Sequence, residues 1–320
     1  MTTTTQNADD FLFGGTDAND ASLSVFDKTE KNQDGIYRPN LKDAKDKKIG
    51  YRATVRFLTN LTKDGKKGPV AIEKHVHYVD FKNEPGLAGY YDCDRNFKDK
   101  CEMCAVYWKL KNSKNAADVE KAELIKRTTK YYSYIMVIED EQHPELVGKI
   151  MVFPYGYTIK EKINSERTGE VTGVQCNVFD LSKGKDFKLI IKDKAGFQNY
   201  DASTFLETSP IKLYDEKSGS FRAAPIDEDG IISNPKAQAK IKETLLSRTV
   251  ELDDHKAIEW TEETRGKVGQ VVSILQGEDV FVAESATRNA GTNTTTTTTS
   301  QRVDVEATTA DDFFDLESEN

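Results

Sequence analysis

Disulfide-forming capacity is scarce in this sequence. Only four cysteines occur in 320 residues, which excludes a disulfide scaffold. Long apolar runs are missing as well. No stretch approaches the roughly 20 residues that a membrane-spanning helix needs. The N-terminus, Met1-Thr2-Thr3-Thr4-Thr5, has neither the basic nor the apolar region of a signal peptide. A soluble intracellular protein is expected. Hydrophobic residues make up 37% of the chain and charged ones 31%, a balance that predicts unpacked segments. No paired-carboxylate or nucleophile constellation is present, so binding is expected and an enzyme is not. The H-x-E and P-C-x-x-C signature of zinc deaminases is absent too. Tyr78 follows His77, and Lys100 precedes Cys101.

Charge is unevenly placed. The formal net charge is −9, yet residues 51–200 hold 26 Lys/Arg against 21 Asp/Glu. Residues 276–320 hold 2 Arg against 10 Asp/Glu. This asymmetry predicts a basic binding surface followed by an acidic tail. A threonine tract near residues 291–300 reads as a linker. The terminal run from Asp311, Asp312, Phe313, Phe314, Asp315 and Leu316 onward is too acidic to fold alone. Its apolar residues are candidates for anchoring on a partner. Residues 1–35, rich in Thr, Asn and Asp, also read as unstructured.

Between these ends the pattern is that of alternating strands and a few helices. Strands are expected at Tyr51–Leu58, Val70 to about Phe81, Tyr131–Glu139, Lys149–Tyr155 and Phe187–Lys192. Helices are expected at Glu102–Leu110, Ala116–Lys126, Pro235–Leu246 and Thr261–Leu275.

Three of the cysteines fall within twelve residues: Cys93, Cys101 and Cys104. Cys101-Glu102-Met103-Cys104 opens a predicted helix, and thiolates at that spacing can converge on one ion. The upstream strand offers His77 or His75 as a fourth ligand, with His77 closer to the cysteines. Three thiolates and an imidazole suit one structural zinc ion. Cys176 stands apart in a strand-like context and reads as a small buried residue.

Single-strand nucleic-acid binding requires cations along phosphates and aromatic faces against bases. The segment Lys126-Arg127-Thr128-Thr129-Lys130-Tyr131-Tyr132-Ser133-Tyr134 offers both. Strand alternation places Tyr132 and Tyr134 on one face and Tyr131 and Ser133 on the other. Phe153 and Tyr155 lie on a neighbouring strand. Phe197-Gln198-Asn199-Tyr200 follows Lys192, Lys194 and a glycine, and is expected on a projecting loop.

Several strings together resemble the helix-destabilising single-stranded DNA-binding proteins of T-even bacteriophages, the gene 32 protein family. They are Ala53-Thr54-Val55-Arg56-Phe57-Leu58, the Lys126–Val137 segment, Val147-Gly148-Lys149, and Lys160-Glu161-Lys162-Ile163-Asn164. Gly196-Phe197-Gln198-Asn199-Tyr200-Asp201 and Gly269-Gln270-Val271 complete the set. The cysteine order, one His, one Cys, then C-x-x-C, agrees as well. The resemblance implies an α+β chain: an OB-fold β-barrel with an inserted zinc-binding subdomain at about 75–128, flanking helices and disordered termini. Residues 36–276 would form the DNA-binding core, with flexible segments at 1–35 and 277–320. Lys126, Arg127, Tyr131, Tyr132, Phe153, Phe197 and Tyr200 match DNA-contacting or cleft-lining positions of the family, and Lys130 joins them as a neighbouring cation. The implied work is coating and protecting single strands in phage DNA replication, recombination and repair, in the cytoplasm of an infected bacterial host. Implied partners are single-stranded DNA, further copies of the chain along it, and replication and recombination proteins met through the acidic tail. A zinc-stabilised interaction scaffold that binds no nucleic acid is the alternative. Three departures stand out. The family's basic N-terminal arm is replaced by residues 1–30 with Lys28 as their sole base, Ala122 stands where the family has an aromatic residue, and His77 lies farther from Cys93 than is usual.

Overall fold

The computed structural model describes residues 35–84, 86–170 and 173–277. The expected tail anchors Asp311–Leu316, the threonine tract and the segment 1–34 lie outside the described residues. Ten strands and five α-helices are seen among those described. They are β1 (Tyr51–Phe57), β2 (Ile72–Val79), β3 (Gly89–Asp92), α1 (Glu102–Lys111), α2 (Ala116–Glu123), β4 (Arg127–Asp140), β5 (Ile150–Tyr155), α3 (Tyr157–Thr168), β6 (Lys185–Lys194), β7 (Phe197–Asn199), β8 (Thr204–Thr208), β9 (Lys212–Asp215), β10 (Ser220–Ala223), α4 (Pro235–Leu246) and α5 (Glu262–Gln276). None of these helices is long and apolar enough to cross a membrane.

Eight strands form one antiparallel sheet in the order β3-β2-β4-β1-β6-β7, with β5 on β4 and β8 on β6. The 14-residue β4 is its organiser. The first half of β4 pairs with β2, from Ile72 opposite Tyr132 to His77 opposite Arg127. Its second half pairs with β1, from Phe57 opposite Ile135 to Ala53 opposite Asp140. Across its other edge, Tyr131–Met136 pair with Tyr155–Ile150 of β5. A register shift at Thr54/Val55 marks a bulge in the β1–β4 ladder, a feature that bends a sheet and increases its twist. Gly50, at φ +87, turns the chain into β1; a Cβ there would stand 2.3 Å from the Ile191 carbonyl oxygen.

Period-two alternation builds the core. Tyr51, Ala53, Val55 and Phe57 of β1 face inward with Ile135 and Val137, Met151 and Phe153, and Phe187, Leu189 and Ile191. The outer face of β4 and β5 sends Tyr134, Met136, Ile138, Ile150 and Val152 against Ile241 and Leu245 of α4 and against Leu252. A third buried cluster surrounds the cysteines. It joins Val79, Tyr91, three cysteines, Met103, Val106, Leu110, Ala122 and Ile125 to Trp260 and to Val268, Val271 and Leu275 of α5.

The structure corrects several sequence-based expectations. Strand β4 begins at Arg127, because β2 offers it a third pairing partner beside β1 and β5. Helix α3 was not anticipated, since its polar run from Tyr157 to Thr168 buries only Ile159. Phe197-Gln198-Asn199 is a strand, paired on Lys192–Lys194. Its two-residue turn places Ala195 at φ 57 and Gly196 at φ 86, as a hairpin of the primed type requires. Cys176 lies outside any strand and is partly exposed, with its thiol 3.6 Å from the Lys183 carbonyl.

Candidate metal centre and the basic aromatic strand

His77 is central in β2, paired to Tyr91 of β3 and to Arg127 of β4. Cys93 directly follows β3. Cys101 is the N-cap of α1, and Cys104 lies in its first turn. This is where unpaired backbone N–H groups favour a thiolate. All four side chains are buried, and their ligand atoms lie within 4.8 Å of one another. His77 Nε2 stands 3.5 Å from Sγ of Cys101 and 3.5 Å from Sγ of Cys104. Sγ of Cys93 and Cys104 are 3.6 Å apart. A tetrahedron with metal–sulfur bonds of ~2.3 Å and a metal–nitrogen bond of ~2.0–2.1 Å has edges of about 3.5 Å (N···S) and about 3.8 Å (S···S). The group can therefore hold a metal ion such as zinc, and its donor set suits that ion.

Strand geometry separates the two histidines. His75 and His77 share a face of β2 but sit about 6.5–7 Å apart along it. The Nδ1 atom of His75 lies 2.9 Å from Thr129 Oγ1, away from the thiols. His77 Nδ1 lies 2.8 Å from the Ile125 carbonyl oxygen. When Nδ1 carries the proton it donates to that oxygen, leaving the Nε2 lone pair toward the cysteines, as second-shell partners of metal-bound histidine do. Hydrogen bonds with Cys104 and Cys93 hold the Cys101 thiol far below its usual range. The same contact with Cys101 pushes Cys104 up. Burial works to lower the His77 pKa, but hydrogen bonds to Cys101 and Cys93 outweigh it and push the value up to about 9.

Ile125 is followed at once by Lys126 and Arg127, so the imidazole is tied to the start of β4. Alternation divides the cations and aromatics of this strand. Tyr131 packs on the rim of the inner core together with Tyr200 and Phe205, and its ring stacks on Tyr155 at 5.8 Å. Lys130 lies on the opposite face, its Nζ 4.4 Å above the ring of Tyr90, which is 54% exposed. Tyr132 shares that face, and its ring is stacked on His255 at 4.8 Å and 5°. Lys126 is 3.9 Å from Glu123. Phe197, 42% exposed, stands beside the β6–β7 turn.

One member of the expected set is displaced. Phe153 is only 2% exposed, wedged against Tyr37, Phe57 and Tyr155. Its ring offers no face to a base, because β5 turns it into the core. Sequence reading also missed two residues that frame the metal centre. Trp260 donates from Nε1 to the Asp92 carbonyl oxygen at 2.6 Å. Asp92 in turn pairs with Lys74 at 2.8 Å. A tryptophan 156 residues beyond Cys104 carries no local signal.

A bulged antiparallel sheet beside a buried Cys3His group that can hold a metal ion defines a mixed α+β protein. Residues 50–272 match the model of a protein family described as gp32 DNA binding protein like, and the chain belongs to that family. It is also 31% identical over 170 residues to a protein named single-stranded DNA-binding protein from Enterobacteria phage T4, covering 52% of this chain and 54% of that protein. The like-named protein of Enterobacteria phage T2 aligns to the same extent. The chain thus spans about half the length of the curated relatives it matches.

Proposed function

We propose that this chain is a single-stranded DNA-binding protein that coats and protects exposed strands and performs no catalytic step. The observation that carries this reading is the direct link from the metal group, through His77 and the Ile125 carbonyl, into the basic aromatic strand β4. Family membership across residues 50–272 and the names of the phage relatives support it. Arg127, Tyr131, Phe197 and Tyr200 would form one wall for the strand, and Lys126, Lys130 and Tyr132 would extend it across β4. One structural zinc ion would cross-link β2, β3 and α1, fixing the register from which β4 starts. The sheet would serve as an OB-fold barrel. The acidic tail ending in Asp311–Leu316 would engage other replication and recombination proteins, within an infected bacterial cell.

Titration of intrinsic fluorescence with poly(dT) and with duplex DNA tests the reading. Saturable quenching by poly(dT) with little response to duplex is the expected result. Absence of any poly(dT) response, in protein carrying its metal, would sink the proposal and leave a zinc-stabilised interaction protein.

A further inference from the structure

Asn96 lies three residues beyond Cys93, in the turn between β3 and α1. Its side chain makes three hydrogen bonds. Oδ1 accepts from the His75 backbone N–H at 3.0 Å. Nδ2 donates to the His75 carbonyl at 2.8 Å and to the Cys93 carbonyl at 2.8 Å. The carboxamide thus pairs with both backbone groups of His75, as the peptide unit of a neighbouring strand would. The backbone joins in: Cys93 N–H donates to the His75 carbonyl at 2.9 Å, and Asn96 N–H donates to the Cys93 carbonyl at 2.9 Å.

We infer that Asn96 is a positioning residue for the metal centre. Strand β3 ends at Asp92, and beyond it the backbone ties Cys93 to β2 through a single hydrogen bond, from its N–H to the His75 carbonyl. Asn96 braces that tie from both sides, two residues from His77, and so sets the separation of the Cys93 sulfur from the imidazole. It touches no ligand atom and acts only through the backbones of His75 and Cys93. It also engages the backbone of His75, the β2 histidine that stays outside the cluster. Few other side chains could take this role. Aspartate keeps the shape but presents a carboxylate to two carbonyl oxygens, and alanine removes the bridge altogether. This inference rests on the Cys3His group holding a metal and is independent of whether the chain binds DNA.

The test uses the full chain, purified with zinc or reconstituted with Co2+. Transfer of zinc to a chromogenic chelator is followed for the parent, Asn96→Ala, the near-isosteric Asn96→Asp and Asn115→Ala. The last removes the side-chain cap of α2, which packs into the same buried cluster, and controls for simple destabilisation. Outer-shell changes of this kind cost roughly 10–100-fold in metal affinity. Both Asn96 variants are therefore expected to release zinc at least about tenfold faster, with Asn115→Ala close to the parent. The visible Co2+ bands, which report tetrahedral thiolate coordination, should shift or weaken in the Asn96 variants alone. If Asn96→Ala does not fold, Asn96→Asp carries the same measurement. Parent-like release and Co2+ bands in Asn96→Asp would overturn the inference. So would equal acceleration in Asn115→Ala.

Discussion

At the scale of residues, the metal centre depends on a single choice along one strand. His75 and His77 have the same chemistry and the same face, but only His77 reaches the thiols. Its second nitrogen is already directed at Ile125. His77→Ala is expected to abolish stoichiometric zinc, and His75→Ala to retain it, with metal content measured on the purified variants. Tyr155 gives a second residue-scale prediction. Burial pushes its pKa from 10.0 up to about 12, against a smaller opposing effect of its hydrogen bond to Ser133. The folded form therefore holds the neutral phenol above the pH at which an unfolded chain would ionise. Its stabilising contribution is complete below about pH 10 and is lost as pH rises toward 12. Thermal midpoints should fall across that window, and fall less steeply in Tyr155→Phe.

At the scale of elements, α5 matters more than its position in the chain suggests. Its polar face looks to solvent, while Val268, Val271 and Leu275 enter the core that holds the cysteines. Trp260, just before the helix, ties the chain to Asp92, the residue preceding Cys93. The buried cluster around the cysteines is thus closed by an element more than 130 residues downstream of β4's start. Leu275→Ala removes a side chain that is only 3% exposed, and should cost about 2–5 kcal/mol. The expected signature is earlier unfolding together with faster zinc loss. Unchanged zinc retention at lowered stability would show that α5 and the metal centre are not coupled. Strand β4 makes the complementary case. Its alternation sends Tyr131 and Lys130 to opposite faces, so the two are not neighbours on one surface.

For the whole molecule, the negative formal charge conceals a division between a basic core and an acidic tail. Binding of single strands through Lys126, Arg127 and Lys130 would release counterions. The affinity for poly(dT) should then fall with salt, with a log–log slope of about −0.7 per phosphate neutralised. Lys130→Ala is expected to lower the magnitude of that slope by roughly 0.7, read from titrations at several salt concentrations. An unchanged slope would remove Lys130 from the phosphate path. Tyr132→Ala offers a contrast, because one face of its ring is already covered by His255.

The sequence by itself determined the elements whose signals are local. Alternation in Tyr51–Phe57, the Asn234-Pro235 start of α4 and the spacing of Cys93, Cys101 and Cys104 all depend on neighbours within a dozen residues. The four residues that the structure gathers into one buried group were legible for that reason, down to a choice between two histidines. Tertiary structure decided what depends on distant chain. It turned Phe153 into the core, gave β4 a third partner and so four more residues at its start, and brought Trp260 and α5 to the cluster around the cysteines. It also placed the Asn96 carboxamide against the His75 backbone, which no spacing rule announces. A strand's pattern states that one face is buried, but which surface covers it is settled only when segments far apart in the chain compete to do so.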